Sequence, residues 1–424
     1  MPLTYSDLSS DQQVAADVVK GGGNVLITGP AGTGKSTLSD YLFEEHPELD
    51  RTATTGVAAI GVGGCTTASW AGLGLCLGEP HEVLREVEGK RRAVTRIREA
   101  SMLAIDEMSM MDSRAFTCLD YVLRRVRTSP KPFGGLQMLF IGDFLQLPPV
   151  DPSGFAFQSE PWAEGNIRVI ELLKIIRQKD SSFAHLLRKI RVGRCDPDVM
   201  EMLRSRIRAF DPNPHIKPVI LATHNAIVDQ INDKSLRALK TEKHCFVAHD
   251  AGSPYHVGRL DKDCLAPKNL HLRIGAQVML LTNLDLDSGL ANGSLGTVTS
   301  FSGDAAVVEF TNGMTRPVSR HTWEITEGKE VVAERQQLPL RVAYAITIHK
   351  SQGMTLEKVQ LYLAKAFSPG QAYVALSRVK SLEGLFIETF SPSAIQVHPD
   401  ALNFYRRARI ARLAELPKLT LPQS

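Results

Sequence analysis

Between a short apolar run at residues 24–28 and a helical pattern that begins at Lys35 lies Gly29-Pro30-Ala31-Gly32-Thr33-Gly34-Lys35-Ser36. The segment satisfies G-x-x-x-x-G-K-[ST] at every fixed position, with a strand before it and a helix after it. Few folds can carry such a loop. Its glycines let successive backbone N–H groups curl around a phosphate, and the following helix adds its positive dipole end. A buried parallel strand has to deliver the loop, which commits the chain to an α/β sheet with a nucleotide at the strand's carboxyl end. Lys35 supplies a point charge to the β- and γ-oxygens of ATP, and Ser36 offers a hydroxyl to Mg2+. The expected nucleotide contacts are Gly29, Gly32, Thr33, Gly34, Lys35, Ser36 and Thr37.

Two further turns belong to the same chemistry. Asp106-Glu107 closes the apolar run 102–105, where a carboxylate at a strand end sits beside the phosphate loop. Asp106 is therefore the expected Mg2+ partner, and Glu107 the group that orients or deprotonates the attacking water. Gly142-Asp143-Phe144-Leu145-Gln146 ends the next apolar run in the same way. Gln146 carries both a donor and an acceptor, which suits a reporter of γ-phosphate or water but would equally suit a polar loop.

The spacing predicts a helix over 8–20, capped by Ser9 or Ser10, then buried strands at 51–54, 101–105 and 136–141 and a helix over 112–127. A second α/β unit is expected from about 176, with helices at 182–191 and 198–209, a strand at 218–222 and a helix from His224. Between about 269 and 340, Gly, Asn, Asp and Ser punctuate short β-rich pieces, which suggests a small antiparallel barrel. Strands at 359–363 and 384–388 and a helix at 371–377 restore the α/β pattern.

The 424 residues make room for two or three domains. Charged residues at 22% and hydrophobic ones at 43% exclude a disordered or collagen-like chain. No apolar run is long enough to span a membrane, and the first residues lack a secretory pattern. Six cysteines without a C-x-x-C pair read as free thiols, so a cytoplasmic location is expected. The net charge of +3 hides local concentrations, such as 11 basic against 5 acidic residues over 168–208 and 6 against 2 over 85–98. Such segments suit a polyanion, although solvated helix faces would read the same. These features describe a P-loop NTPase and leave open a small-molecule phosphotransferase or an ATP-switched nucleic-acid clamp.

The order of segments resembles the superfamily 1 DNA helicases, and among them the petite integration frequency (PIF) family, over nearly the whole chain. The resemblance rests on Leu8-Ser9-Ser10-Asp11-Gln12, the phosphate loop, residues 53–59, Asp106-Glu107-Met108-Ser109-Met110 and 142–150. It continues with Arg177-Gln178, Thr347-Ile348-His349-Lys350-Ser351-Gln352-Gly353-Met354-Thr355 and Ala372-Tyr373-Val374-Ala375-Leu376-Ser377-Arg378. It implies two RecA-like parallel-sheet domains, 1–175 and 176–268 plus 341–424. An SH3-like barrel at 269–340 is inserted in the second, and a wedge projection at about 65–98 in the first. It implies ATP-dependent 5′-to-3′ movement on single-stranded DNA and unwinding of forked or tailed duplex by a monomer. G-quadruplexes and RNA–DNA hybrids fall within the family's substrate range. By the same resemblance Gln12 reads the adenine, Gly353 lines the nucleotide site, and Arg177 and Arg378 reach the γ-phosphate. The strand-contacting residues carried over are Thr54, Thr55, Gly56, Thr67 and Trp70 in the first domain and His349, Lys350 and Ser351 in the second. Ala68 stands where many relatives carry a histidine, and Trp70 either stacks on a base or packs under its loop.

Overall fold

The computed structural model describes residues 3–176, 180–209, 215–285, 287–363 and 368–415. Six parallel strands form the first sheet: β1 (Val25–Thr28), β2 (Leu49–Ala53), β3 (Cys65–Thr66), β4 (Met102–Asp106), β5 (Gln137–Ile141) and β6 (Arg168–Glu171). Their order is β3-β2-β4-β5-β1-β6. All four residues of β1 are buried, because helices cover both faces. Val25 and Ile27 join one core with Leu38 and Leu42, whereas Leu26 joins the other with Phe140 and Leu119. The chain reverses its strand order beside β1, so the loops after β1, β4 and β5 converge at one edge.

The first helix runs Ser10–Lys20, starting later than the expected residue 8 because Ser9 is its cap. In the segment expected to project, helices Pro80–Glu88 and Arg91–Glu99 bury Val83, Val87, Ala93 and Ile97. Val83, Val87 and Ile97 share a core with the helix Ser113–Val126, while Leu75 and Leu77, on the loop before Pro80, stay exposed.

A second parallel sheet has the order Ala345–Thr347, Val219–Ala222, Val359–Leu363, Leu385–Phe390. The helix expected at 198–209 is Pro197–Arg204, opened by its proline. Between Ala222 and Ala345 the chain builds antiparallel structure. One sheet has the order Thr315–Val318, Ala305–Phe310, Leu295–Ser302, Gln277–Leu280, Leu340–Val342. A hairpin of His321–Glu327 and Glu330–Gln337 stands apart from it and pairs with His249–Gly252. Lys243–Val247 pairs with Asn269–Arg273.

These pairings correct the expected start of the insertion at 269. Residues from Lys243 onward join the antiparallel part, not the second parallel sheet. Their strands, Lys-His-Cys-Phe-Val and His-Asp-Ala-Gly, carry little apolar alternation, and their partners lie far along the chain. The helix Pro254–Asp263 belongs there too. Arg335, wholly buried on the hairpin, donates to Asp250 and to the Leu260 carbonyl. Among the described residues no helix is long and apolar enough to cross a membrane.

Candidate nucleotide and strand-binding site

The two parallel sheets and the insertion enclose a cleft of about 730 Å³. The phosphate loop forms one wall. Gly32 and Gly34 adopt φ of +78° and +83°, open to glycine at no steric cost, and Gly34 caps the helix Lys35–Glu45. Thr33 is buried and donates to the Pro30 carbonyl. Lys35 Nζ lies 2.7 Å from the Gly29 carbonyl and 3.0 Å from that of Pro30, folded over the loop. Ser36 and Thr37 line the cleft with exposed side chains. Gln12 is buried at the loop's flank, where its amide donates to the Gly34 carbonyl at 3.1 Å and its oxygen caps the Ser9 N–H. A side chain at Gly34 would press on that amide, so the glycine permits the contact.

The floor is acidic. Asp106 ends β4 and accepts the Glu107 N–H at 2.7 Å. Glu107 adopts φ of +51°, a strained conformation for a non-glycine residue, which turns its carboxylate into the cleft. Burial pushes the Asp106 carboxyl up to about 6 against the pull of the Glu107 amide and Lys35. Burial, reinforced by Asp106, pushes Glu107 up to about 7, although Arg378 opposes the shift. Gln146 lies buried in the loop after β5 and also faces the cleft.

The opposite wall comes from the second unit. Arg378 follows the helix Gln371–Ser377 and is buried, its guanidinium donating to Val374, Ser351 and Ser377. Gly353 and His349 line the same wall. Arg177 lies outside the described residues. The Tyr373 hydroxyl accepts the Ala31 N–H at 2.8 Å, so the second unit touches the phosphate loop directly. The tyrosine lay inside a recognised segment, but its side chain carried no separate signal.

The expected strand contacts divide. Thr54 donates its hydroxyl to the Glu107 carbonyl, and Thr55 caps the helix Gly56–Gly61. Lys350 is half-buried, and burial depresses its pKa; His349 reaches solvent, and the residues packed around its ring strip away part of its water and lower its pKa too. The structure corrects the expectation for Thr67, Trp70 and Ser351. Thr67 is buried with its hydroxyl on Thr52 and Ala53. Trp70 is fully buried, and its indole N–H is held 2.9 Å from Asp50, so no face is left for a base. Ser351 is spent on the Ile348 carbonyl. Buried polar groups that already have partners gain nothing by turning outward. Ser69, beside Ala68, is the polar group of that helix facing outward, onto Glu327 and Arg259.

A second buried network sits behind the phosphate loop. Arg191, counted in the sequence as one of a basic cluster, is buried; it grips Asp143 through two contacts of 2.9 and 3.0 Å and Glu171 at 2.9 Å. Tyr405, from the helix Pro399–Glu415, donates to Asp143 and accepts from the Phe144 N–H. It also bonds the Thr28 hydroxyl, and Arg409 forks onto Glu171. None of these partners was legible in the sequence.

A family model described as PIF1-like helicase matches residues 7–201, and one described as DNA helicase Pif1, 2B domain matches 257–301. The ATP-dependent DNA helicase Pif1 of Bdellovibrio bacteriovorus is 33% identical over 96% of this chain and 93% of its own length. The chain belongs to the PIF1-like helicase family. The human ATP-dependent DNA helicase PIF1 is 38% identical over 98% of this chain, which spans 66% of that protein. The crystal structure of a Bacteroides Pif1 with ADP-AlF4, 30% identical, superposes with a TM-score of 0.84 over 95% of this chain and 97% of the other. Bacteroides Pif1 bound to ssDNA, also 30% identical, gives 0.64 over 96% and 97%.

Proposed function

We propose that this PIF1-like helicase chain hydrolyses ATP to move 5′ to 3′ along single-stranded DNA and part forked or tailed duplexes. The observation that carries the reading is the two-sided cleft, in which the phosphate loop and Glu107 on one unit face Arg378 on the other. Glu107 takes the proton of a water whose oxygen bonds to the γ-phosphorus as the bond to the bridging oxygen breaks. Arg378, with Arg177 assigned beside it by family resemblance, neutralises charge on the transferring group. Guanidiniums from a second unit make closure depend on the nucleotide, which couples hydrolysis to motion between the units.

Ser36 and Asp106 would hold Mg2+. The fit rests on Asp106, whose burial leaves its carboxylate short of compensating charge, and on the exposed Ser36 hydroxyl in the same cleft. When bound there, Mg2+ would supply charge neutralisation to the phosphate oxygens of the nucleotide. Thr54, Thr55 and Gly56 on the first unit, with His349 and Lys350 on the second, border the strand. The antiparallel insertion grips it from the side.

The test is ATP turnover with and without oligothymidylate, followed by unwinding of 5′-tailed, 3′-tailed and blunt duplexes. Stimulation by single strands and selective unwinding of the 5′-tailed duplex are expected, with binding that weakens steeply as salt rises. Lys35→Ala should abolish turnover and keep strand binding. Equal turnover with and without DNA would remove the motor from the reading.

A further inference from the structure

The helix Pro399–Glu415 follows the second unit in sequence but packs on the first. Ala401 and Tyr405 lie in the first unit's core, and the Phe404 ring meets those of Phe144 and Phe157 at 5.2 and 4.6 Å. This docking carries the Tyr405 hydroxyl behind the phosphate loop. Thr28, the residue before that loop, bonds it through a wholly buried hydroxyl. The Phe144 N–H donates to it at 3.2 Å, and it stands 3.1 Å from the Asp143 carboxylate. Burial, and behind it the Asp143 charge, raises the phenol well above its usual value, so the hydroxyl keeps its proton. It therefore donates to Asp143 and accepts from both Thr28 and Phe144, which fills its donor and acceptor positions.

The hydroxyl joins two loops whose spacing the reaction depends on. β1 and β5 run side by side, and the Gly142 N–H donates to the Ile27 carbonyl at 3.1 Å where their pairing ends. Past that bond the chains part. One becomes the phosphate loop, and the other carries Gln146 into the cleft. Tyr405 bridges them at the point of parting, from Thr28 to Asp143 and Phe144. A further arm comes from the second unit. Arg191 ends the helix Ser181–Arg191, whose Phe183, Leu186, Leu187 and Ile190 share a core with Tyr373. Its guanidinium lies 5.0 Å over the Tyr405 ring while it grips Asp143. A buried hydroxyl with every position filled has one placement, and that placement sets the distance between the loops.

We infer that Tyr405 is a positioning residue for ATP hydrolysis, which through Thr28 and Asp143 sets Gln146 against the γ-phosphate held by the phosphate loop. The inference rests on the hydrolytic site proposed above and adds to it a residue that never touches the nucleotide. The amides that cradle the β-phosphate lie further along the loop, from Gly32 to Ser36. Losing the hydroxyl therefore leaves nucleotide affinity in place and slows the chemical step. A displacement of about 1 Å between reacting groups is enough to cost a hundredfold in rate.

The experiment measures steady-state ATP turnover on saturating oligothymidylate, with binding of fluorescent ADP alongside, for the full chain as wild type, Y405F, T28V and R409Q. Y405F should lose about tenfold or more in kcat, while KM for ATP and the affinity for ADP stay within about twofold of wild type. T28V keeps the shape of the side chain and removes the bond, so its kcat should fall too. Y405F/T28V should be no slower than Y405F alone, because both changes break one bond. R409Q loses the fork onto Glu171 from the same helix and leaves the hydroxyl in place. It should lower the melting temperature and keep kcat. Circular dichroism checks folding, and T28V carries the test if Y405F is unfolded. Turnover by Y405F within about twofold of wild type overturns the inference. So does an equal fall in R409Q, because helix docking would then explain the loss, and so does a raised KM at unchanged kcat. Each of these leaves the motor standing. A wild type whose turnover ignores DNA removes the motor instead, and the Y405F comparison then still tests the inference; a wild type without turnover removes both.

Discussion

Replacing Arg191 by methionine removes the cation that joins the second unit to the loop carrying Gln146. The Arg191 and Asp143 side chains are 3% and 0% exposed, so the pair is out of reach of solvent screening. Breaking a buried pair from one side costs about 3–5 kcal/mol, since the remaining charge stays behind uncompensated. Two features place this case at the lower end: Glu171 keeps Arg409, and Asp143 keeps the Tyr405 hydroxyl and the Leu145 N–H. A loss of about 3 kcal/mol is therefore expected. Urea unfolding followed by tryptophan fluorescence suits the measurement, because Trp70 and Trp162 report on the first unit. The double variant R191M/D143N should recover part of the loss, since no buried carboxylate is then left unpaired. The pH dependence has a definite sign. Burial raises the Asp143 carboxyl, but Arg191 overrides it and holds it below the usual value. The stabilisation is thus fully present above the unfolded value of about 3.9 and disappears as pH falls through the lower folded one. The gap between wild type and R191M should persist at about pH 5 and close only in stronger acid. A loss under about 1 kcal/mol, or a double variant no better than the single, would refute the reasoning.

Glu107→Gln should abolish turnover yet raise the melting temperature of the nucleotide-free chain at about pH 8. With folded values raised to about 7 for Glu107 and about 6 for Asp106, the pair favours the folded state below the ordinary carboxylate range and loses that contribution as pH rises through the folded values. The gain in melting temperature should therefore vanish at about pH 4, which differential scanning calorimetry can follow. Gly370→Ala should cut DNA-stimulated turnover about tenfold or more, because its φ is +78° and a methyl group would strike the Gln146 carbonyl where the two units pack together. Strand binding by that variant, measured by anisotropy, should survive. Tyr405→Phe should cost about 1–3 kcal/mol in urea unfolding, because the Phe144 N–H loses its acceptor in the core.

The nucleotide wall was legible because its requirements are local. A glycine is needed where the loop takes a left-handed turn, Lys35 and Ser36 follow at set spacing, and parallel strands covered on both faces must be apolar throughout. The same locality made Ser9 readable as a helix cap and Asp106-Glu107 as the end of a strand. The boundary of the insertion was not legible, since Lys243–Val247 shows little alternation and is defined by its partner Asn269–Arg273.

Local composition alone thus settled that a triphosphate-binding loop opens a parallel sheet, because backbone geometry and strand burial act over a handful of neighbours. The tertiary structure decided which charged and aromatic groups meet. Tyr405 reaches Thr28 across 377 positions, and Ser69 meets Glu327 across 258. An arginine in a basic run reads the same whether it faces solvent or, like Arg191, neutralises a carboxylate in the core. Only the packing of the units removes water from one and leaves it on the other, and that difference in solvation turned Trp70 inward.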